Sequence, residues 1–160
     1  MPQTQPKKQA RAIQRNNPYE NYNYLVDLGG GNPQALQAGF SEVLLPETTI
    51  DVIEYRNGNE RESGARKLPG RVHYSNVTLR RGVIGALDLY QWLDQVRNGD
   101  TNALRNVSVM LQNEDRTQVV MTWRFRRAFP ARYSFSLLQA KGKEVLIESL
   151  ELAFDMMDME

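Results

Sequence analysis

The chain has 160 residues, 41% of them hydrophobic and 24% charged, with a formal net charge of +1 at pH 7. This is the composition of one globular domain and excludes a disordered chain. No apolar run is long enough to span a membrane, the N-terminus lacks the apolar stretch of a secretory signal, and cysteine is absent. We therefore expect synthesis in the cytoplasm without a signal peptide, no direct membrane insertion, and no disulfide or thiolate chemistry.

Residues 1–16 are predicted to form a basic arm, and residues 17–160 a single domain. The arm carries Lys7, Lys8, Arg11 and Arg15 but no acidic residue, and it is rich in Gln, Asn and Pro. Because it has few apolar groups, we expect it to be flexible when the protein is alone. Docking on an acidic partner or nucleic acid is one interpretation of this arm. Since four charges are few, a solubilising tail is favoured.

Three strands are predicted in the first half of the domain, at Tyr22–Leu28, Thr49–Arg56 and Val72–Arg80. The glycine-rich run at 29–33 ends the first strand, because no strand passes through such a run. Residues 56–71 contain only two sizeable apolar side chains, Leu68 and Pro69. A segment this polar and this long is typical of a surface loop, and such loops are often functional.

One helix is predicted, from Leu87 to about Asn98. Its apolar residues recur at helical spacing and form a single stripe of Leu89, Trp92, Leu93 and Val96. Asn98-Gly99 ends the helix, because glycine suits the left-handed position that comes after a helix. We interpret the stripe as core packing.

The strongest strand signal is a hairpin formed by Val107–Asn113 and Val119–Arg126. In its second strand the apolar residues share one face, which consists of Val119, Met121, Trp123 and Phe125. Thr122, Arg124 and Arg126 occupy the opposite face, which is therefore polar and basic. The alternation predicts an antiparallel pair with one face buried and the other in water.

Two more strands are predicted at Tyr133–Leu138 and Glu144–Phe154. The last has apolar groups on both faces. A strand covered on both sides, or covered by a neighbouring molecule, has this pattern.

The sequence offers no combination of residues that would build an active site. His73 is the only histidine, so one chain cannot supply two or three His ligands to a metal, and no serine has a nucleophile-elbow sequence. The glycine run lacks the lysine and following helix of a phosphate-binding loop. Acidic pairs such as Asp155 and Asp158 lie in polar surroundings and are interpreted as solvated charge. We predict that the protein is not an enzyme and has no catalytic, metal or cofactor site.

Nucleic-acid binding is the alternative from a different functional class. Arginines 80, 81, 124, 126, 127 and 132 form basic groups with aromatic residues among them. Strand alternation, however, places Trp123 and Phe125 on the face opposite Arg124 and Arg126, so the aromatic rings belong to the core. The nearly neutral chain also argues against a dedicated nucleic-acid binder.

Several sequence blocks come one after another in a recognisable order. They are Asn17–Tyr24, Ala38–Val43, Ile53–Arg56, Arg66–Gly70, Tyr74–Val83, Arg105–Val109, Asn113-Glu114, Trp123–Phe125, Ala128–Pro130 and Glu144–Ala153. Together they resemble the tail tube protein family of contractile-tailed phages and related contractile injection systems, over roughly residues 17–154. The segment Leu44–Thr49, the long basic arm and the C-terminal residues 155–160 depart from the family pattern.

The resemblance implies two packed antiparallel sheets, as a sandwich or partial barrel, with one flanking α-helix. Six copies would close a β-barrel ring, each giving four strands to its inner wall, and rings would stack into a hollow tube for DNA or effector delivery. The implied partners are further copies of the chain, a contractile sheath protein, baseplate and hub proteins, and DNA or protein cargo in the lumen. The particle would be a virion, an extracellular device or a cell-anchored one.

The resemblance also suggests roles for two groups of residues. Residues in the 56–71 segment would reach the adjacent ring, with the contact near Arg66, Lys67, Leu68, Pro69 and Gly70. The polar face of Thr122, Arg124 and Arg126 would line the lumen or face the sheath. A baseplate or terminator ring of the same family is the alternative to the main tube subunit.

Overall fold

The structure, a computed structural model, describes residues 11–30, 39–59 and 64–160. This part of the chain is mainly β with one α-helix, as predicted. The strands are β1 (Tyr24–Asp27), β2 (Glu42–Leu44), β3 (Thr48–Tyr55), β4 (Arg66–Tyr74), β5 (Val77–Gly82), β6 (Arg105–Gln112), β7 (Val119–Phe135), β8 (Ile147–Ala153) and β9 (Met156–Met159). The helix α1 is Asp88–Arg97, and a 3-10 turn lies at Thr101–Ala103.

The long strand β7 joins two antiparallel sheets. Its first part pairs with β6 on one side and β9 on the other, and β1 pairs with the outer side of β6. We call β1-β6-β7-β9 the first sheet. From Phe129 onwards β7 pairs with β8, beside which lie β5 and then β2, and we call this order the second sheet. Between the two parts Arg127 has a left-handed φ of 54°, a conformation that interrupts the regular pleat and redirects the strand.

The two sheets pack against each other around one hydrophobic core. Val107 and Phe125 of the first sheet and Leu79 and Leu150 of the second are fully buried in the same cluster. Along β5, β6 and β8 the core residues alternate with exposed or half-buried ones, as the pleat requires. The predicted architecture of two packed sheets is confirmed.

The helix α1 adds its apolar stripe to this core. Leu89 and Trp92 are buried, and the Trp92 indole N–H donates a hydrogen bond of 2.7 Å to the Ala103 carbonyl oxygen. Val96 packs at the margin of the cluster. After Asn98 the chain turns at Gly99, whose φ of 76° is the left-handed conformation that the sequence predicted there.

The strands β3 and β4 form a separate two-stranded hairpin that continues the β2–β5 pair. Leu44 lies opposite Thr78 in that pair, and Thr48 lies opposite Tyr74 in the hairpin, so the register is the same on both sides of a short gap. Within the gap the Ser75 N–H donates to the Glu47 carbonyl oxygen at 3.0 Å. The β3–β4 hairpin is therefore an extension of the edge of the second sheet.

Several predicted boundaries are wrong. The segment Val72–Arg80 is not one strand, because it breaks at Ser75 and Asn76 where the hairpin meets the sheet. Residues 66–71 are not a loop but the first part of β4. The sequence predicts a loop there because a strand that is exposed on both faces can be as polar as a loop. The predicted strand Tyr133–Leu138 is the end of β7, which stops at Phe135, and Glu144–Phe154 shortens to β8 with β9 added after it.

Part of the N-terminal arm contacts the domain. The Ile13 N–H donates to the Val120 carbonyl oxygen at 2.9 Å, and Arg15 forms an ion pair with Glu114. Residues 1–10, Gly31–Pro33 of the glycine-rich run, Ala38 of the second family block, and 60–63 of the predicted loop lie outside the described residues, and the flexibility of the arm stays a prediction. In the described part of the chain, no helix has the length and apolar character needed to cross a membrane.

Candidate assembly surfaces

The β3–β4 hairpin exposes apolar residues on both of its faces. Ile50 lies opposite Val72, and Ile53 lies opposite Leu68. Each of these four side chains is about half exposed. A two-stranded hairpin is at best marginally stable in water, and contiguous exposed apolar surface is typical of an interaction site. The hairpin therefore has the character of a strand pair that another surface covers.

The residues Arg66, Lys67, Leu68, Pro69 and Gly70, predicted to contact an adjacent ring, form the first part of β4. The β3–β4 pairing shifts register between Ile50 and Val52, where Gly70 and Arg71 of β4 together lie opposite Asp51 of β3, so Gly70 is part of a bulge in β4. A Cβ atom on Gly70 would lie 3.1 Å from the Asp51 carbonyl oxygen and 3.2 Å from Ile53 Cδ1. Glycine thus allows the close approach of the two strands here.

Of the predicted polar face on β7, two residues are exposed and one is not. Thr122 is buried, and its backbone exchanges two hydrogen bonds of 2.9 Å with the backbone of Glu160. Arg124 forms an ion pair of 3.3 Å with Glu160, and Arg126 forms one of 2.6 Å with Asp158. The arginine side chains are more than half exposed. The basic face expected from the sequence is therefore a face of paired opposite charges.

Two further arginines of β7 pair with acidic residues of β8 and of the segment that follows it. Arg127 lies 3.2 Å from Asp155, and Arg132 lies 3.9 Å from Glu151. Exposed pairs of this kind contribute about 0–1 kcal/mol each, so their main effect is to neutralise the strand. The interpretation of Asp155 as solvated charge does not include its pairing with Arg127. No local sequence pattern shows that β9, which follows Asp155, lies beside β7. An open groove of about 580 Å³ lies on this face, lined in part by Ser108, Arg124 and Arg126.

Both sheets have outer strands that pair on one side only within the described residues. They are β1 and β9 in the first sheet and β2 in the second. Thr122 and Glu160 form a hydrogen-bonded pair, so the next pair along the antiparallel ladder, Trp123 and Met159, is a non-hydrogen-bonded one. The Met159 N–H therefore points away from β7, to the outer side of β9. Unpaired strand edges of this kind are templates for pairing with another chain.

A buried ionic cluster holds the start of α1 against the second sheet. Arg81 on β5 is 2% exposed and Glu148 on β8 is 3% exposed. Arg81 forms ion pairs with Glu148 and with Asp88 at the start of α1, and the Tyr133 O–H donates to Glu148. Arg81 is thus an internal residue, and the prediction that it belongs with Arg80 to a basic surface is wrong.

The cluster shifts the pKa values of two of its members. Burial lowers the pKa of Arg81, but hydrogen bonds with Asp88 and Glu148 outweigh burial and raise the pKa above its ordinary value. Burial, and after it the hydrogen bond with Glu148, raises the pKa of Tyr133. The guanidinium is therefore charged and the phenol neutral at pH 7. The described residues contain no group of three or more His, Cys, Asp or Glu side chains that could hold a metal ion.

The family described as T4-like virus tail tube protein gp19 matches residues 20–158. The chain belongs to this family. The resemblance seen in the ordered sequence blocks is thus confirmed. The family is one of structural tube proteins, and the surfaces described above are those expected of a chain with a structural, tube-like role. The sequence matches none of the curated proteins with which it was compared.

Solved structures of similar chains come from contractile injection systems. One is a chain in the cryo-EM structure of the anti-feeding prophage baseplate, 29% identical over 91% of this chain and 97% of that one, with a TM-score of 0.77. A second is in the sheath-tube complex of the extracellular contractile injection system PVC in the extended state, 25% identical over 89% and 91%, with a TM-score of 0.75. A third is in the PVC sheath/tube terminator, 25% identical over 91% and 98%, with a TM-score of 0.78.

Proposed function

We propose that six copies of this chain close into a ring and that such rings stack into the hollow inner tube of a contractile injection system or contractile phage tail. The observation that carries the proposal is that β1 and β9, the outer strands of the first sheet, each pair on one side only in the part of the chain that the structure describes. Pairing β9 of one copy with β1 of the next satisfies both of these edges, and a closed ring leaves no edge of the first sheet free.

The first sheet has the strand number that an inner barrel needs. Six copies of this four-stranded sheet would give twenty-four strands. At ~4.8 Å between strands and a tilt of about 45°, the circumference is about 160 Å and the backbone diameter about 50 Å. Side chains would reduce the lumen to about 40 Å, which admits duplex DNA or a small folded protein. We assign DNA or an effector protein to this lumen as cargo.

The exposed face of the first sheet would line that lumen. This face carries Arg124 and Arg126, and their partners Glu160 and Asp158 cancel their charge. A wall of paired charges attracts neither polyanions nor polycations strongly, which suits the passage of cargo. Because the chain has no cysteine, an Arg124→Cys variant carries a single thiol. We expect a maleimide too bulky for the lumen to label the variant as a monomer but not in tubes, whereas labelling of intact tubes would place this face on the outside.

The sheath, baseplate and hub proteins of the particle are the proposed partners of the tube. The similar chains from a sheath-tube complex and a baseplate support this assignment. A second candidate function is a ring at one end of the tube, which the similarity to a chain of the PVC sheath/tube terminator supports. In both cases the chain is a structural part of a phage-tail-like particle and not an enzyme. Rings that form but never stack would favour the end ring.

Electron microscopy of the purified protein tests ring closure, with a variant aimed at the free edge of β9. Met159→Pro removes the N–H that points away from β7, and the Met159 side chain is more than half exposed, so folding should be unaffected. We expect six-fold rings from the wild type and from Met159→Ala, but monomers from Met159→Pro. Normal rings from the proline variant would show that this edge does not join neighbouring copies.

A further inference from the structure

The strand β9 concentrates the methionines of a chain that has no cysteine. The chain has six methionines, and three of them, Met156, Met157 and Met159, lie in this strand of four residues. Of the described methionines, Met110, Met121 and Met157 are half-buried, and the other two are exposed. A thioether is a flexible apolar group that oxidation converts to a polar sulfoxide. Because no thiol competes for a peroxide, the exposed methionine sulfurs are the groups that it reaches first.

The two exposed methionines lie on opposite faces of β9. Met156 is paired with Arg126 and is 46% exposed, on the face that carries the ion pairs between β7 and β9. Met159 is paired with Trp123, which packs against the hydrophobic core, and yet Met159 is 56% exposed. Met157, on the same face as Met159, also packs against the core. The strand therefore leaves one thioether open at the margin of the core.

The proposed ring would cover Met159 but not Met156. When β1 of the next copy pairs with the outer side of β9, the first sheet continues past β9 without a gap. The core side of that β1 carries Tyr24 and Val26, both of which pack in the core of their own copy. Met159 would then lie within a closed apolar layer. Met156 lies on the opposite face, the proposed wall of the lumen, and would stay accessible to solvent.

We propose that Met159 is a site of reversible sulfoxidation by hydrogen peroxide and that its oxidation state controls ring closure. The sulfur lone pair attacks one peroxide oxygen, an S–O bond forms and the O–O bond breaks. The hydroxide that leaves takes the proton of the transferred oxygen and becomes water, so sulfur is oxidised by two electrons and the peroxide is reduced. This inference rests on the proposed function and adds a chemical signal that acts on the ring contact.

The sulfoxide disfavours the ring because its oxygen is buried without a donor. The backbone N–H groups between β9 and a neighbouring β1 already have carbonyl partners, and a buried polar atom with no partner weakens the contact that buries it. Every contact of the ring is affected, so we expect the concentration needed for ring formation to rise at least about tenfold. By linkage, a closed ring protects Met159 from oxidation. Methionine sulfoxide reductases, one for each sulfoxide epimer, reverse the change.

Oxidation of preformed rings tests the position of the two thioethers. Monomers and assembled rings are treated with the same concentration of hydrogen peroxide, and peptide mass spectrometry follows the sulfoxide at each methionine with time. We expect Met156 to be oxidised at the same rate in both samples, and Met159 at least about tenfold more slowly in rings. Equal rates for Met159 in monomers and rings would contradict its burial between neighbouring copies.

Matched leucine variants test the effect on assembly. Monomers are oxidised until Met159 is fully converted, the peroxide is removed, and rings are counted in electron micrographs over a range of protein concentrations. Wild type and Met156→Leu should need at least about tenfold more protein to form rings, and both reductases together should restore the original concentration. Met159→Leu should form rings at one concentration with or without peroxide.

Two results would overturn the proposal. One is unchanged ring formation by a wild type that is fully oxidised at Met159, and the other is an equal loss of rings from Met159→Leu after peroxide. An untreated wild type that forms no rings at any concentration would instead remove the proposed function itself.

Discussion

Replacing Arg81 with methionine removes the only cation of the buried cluster and leaves Glu148 buried without its counter-ion. Methionine fills a similar volume, so the loss is electrostatic and not a cavity. Leaving one partner of a buried ion pair uncompensated costs about 3–5 kcal/mol. Since single domains are stabilised by about 5–15 kcal/mol, this is a large share of the total. At about 2–4 °C per kcal/mol for a domain of this size, we expect Tm to fall by roughly 6–20 °C.

The adjacent residue provides the matched control. Arg80 also forms an ion pair, at 3.1 Å with Glu42, but its side chain is 50% exposed and that of Glu42 is 67% exposed. Such a pair contributes about 0–1 kcal/mol, so Arg80→Met should lower Tm by no more than about 4 °C. Both variants are compared by far-ultraviolet circular dichroism at one low protein concentration, where assembly does not contribute. If Arg81→Met and Arg80→Met lowered Tm by the same amount, burial of the Arg81 ion pairs would not determine how much they stabilise the protein.

Three further predictions concern other parts of the chain. Gly70→Ala should force the two hairpin strands apart at the bulge, at a local cost of about 1 kcal/mol, and increase amide hydrogen exchange in β3 and β4 but not in the sheets. Tyr133→Phe should reduce the fall in the free energy of unfolding, measured in urea, as the pH rises above 10. The raised pKa of Tyr133 in the folded state contributes stability that is fully present below the ordinary value of 10 and is lost as the pH rises above that value, and phenylalanine cannot titrate. Glu114→Gln should accelerate trypsin cleavage after Arg15, since it removes the carboxylate that holds the arm. The hydrogen bond from Arg15 lowers the pKa of this carboxylate, so it is charged at neutral pH.

Elements whose signals are local could be predicted from the sequence. The helical stripe places Leu89 and Trp92 in the core, where the structure has them, and Gly99 ends the helix as expected. In the β6–β7 pair, alternation correctly separates the core residue Phe125 from the exposed Arg124 and Arg126. These features depend on side-chain periodicity, which is fixed by the geometry of a helix or a strand alone.

The sequence predicts β3, at Thr49–Arg56, but misses the first part of β4 because its signal is not local. A strand that buries neither face in its own chain has no reason to alternate, and β4 contains Pro69 and Gly70, which also favour loops. The pairing of β7 with β9 and the buried position of Arg81 likewise depend on contacts far apart in sequence. The candidate assembly surfaces are therefore the part of the molecule that sequence patterns describe least well.

The central claim is that copies of this chain join through the free edges of the first sheet. A cryo-EM reconstruction of rings assembled from the purified protein tests it most directly. We predict a six-fold ring in which β9 of each copy hydrogen-bonds to β1 of the next, so that one continuous sheet encloses the lumen. A ring whose first sheets stay separate at β1 and β9, with neighbours joined only through loops or helices, would contradict the account.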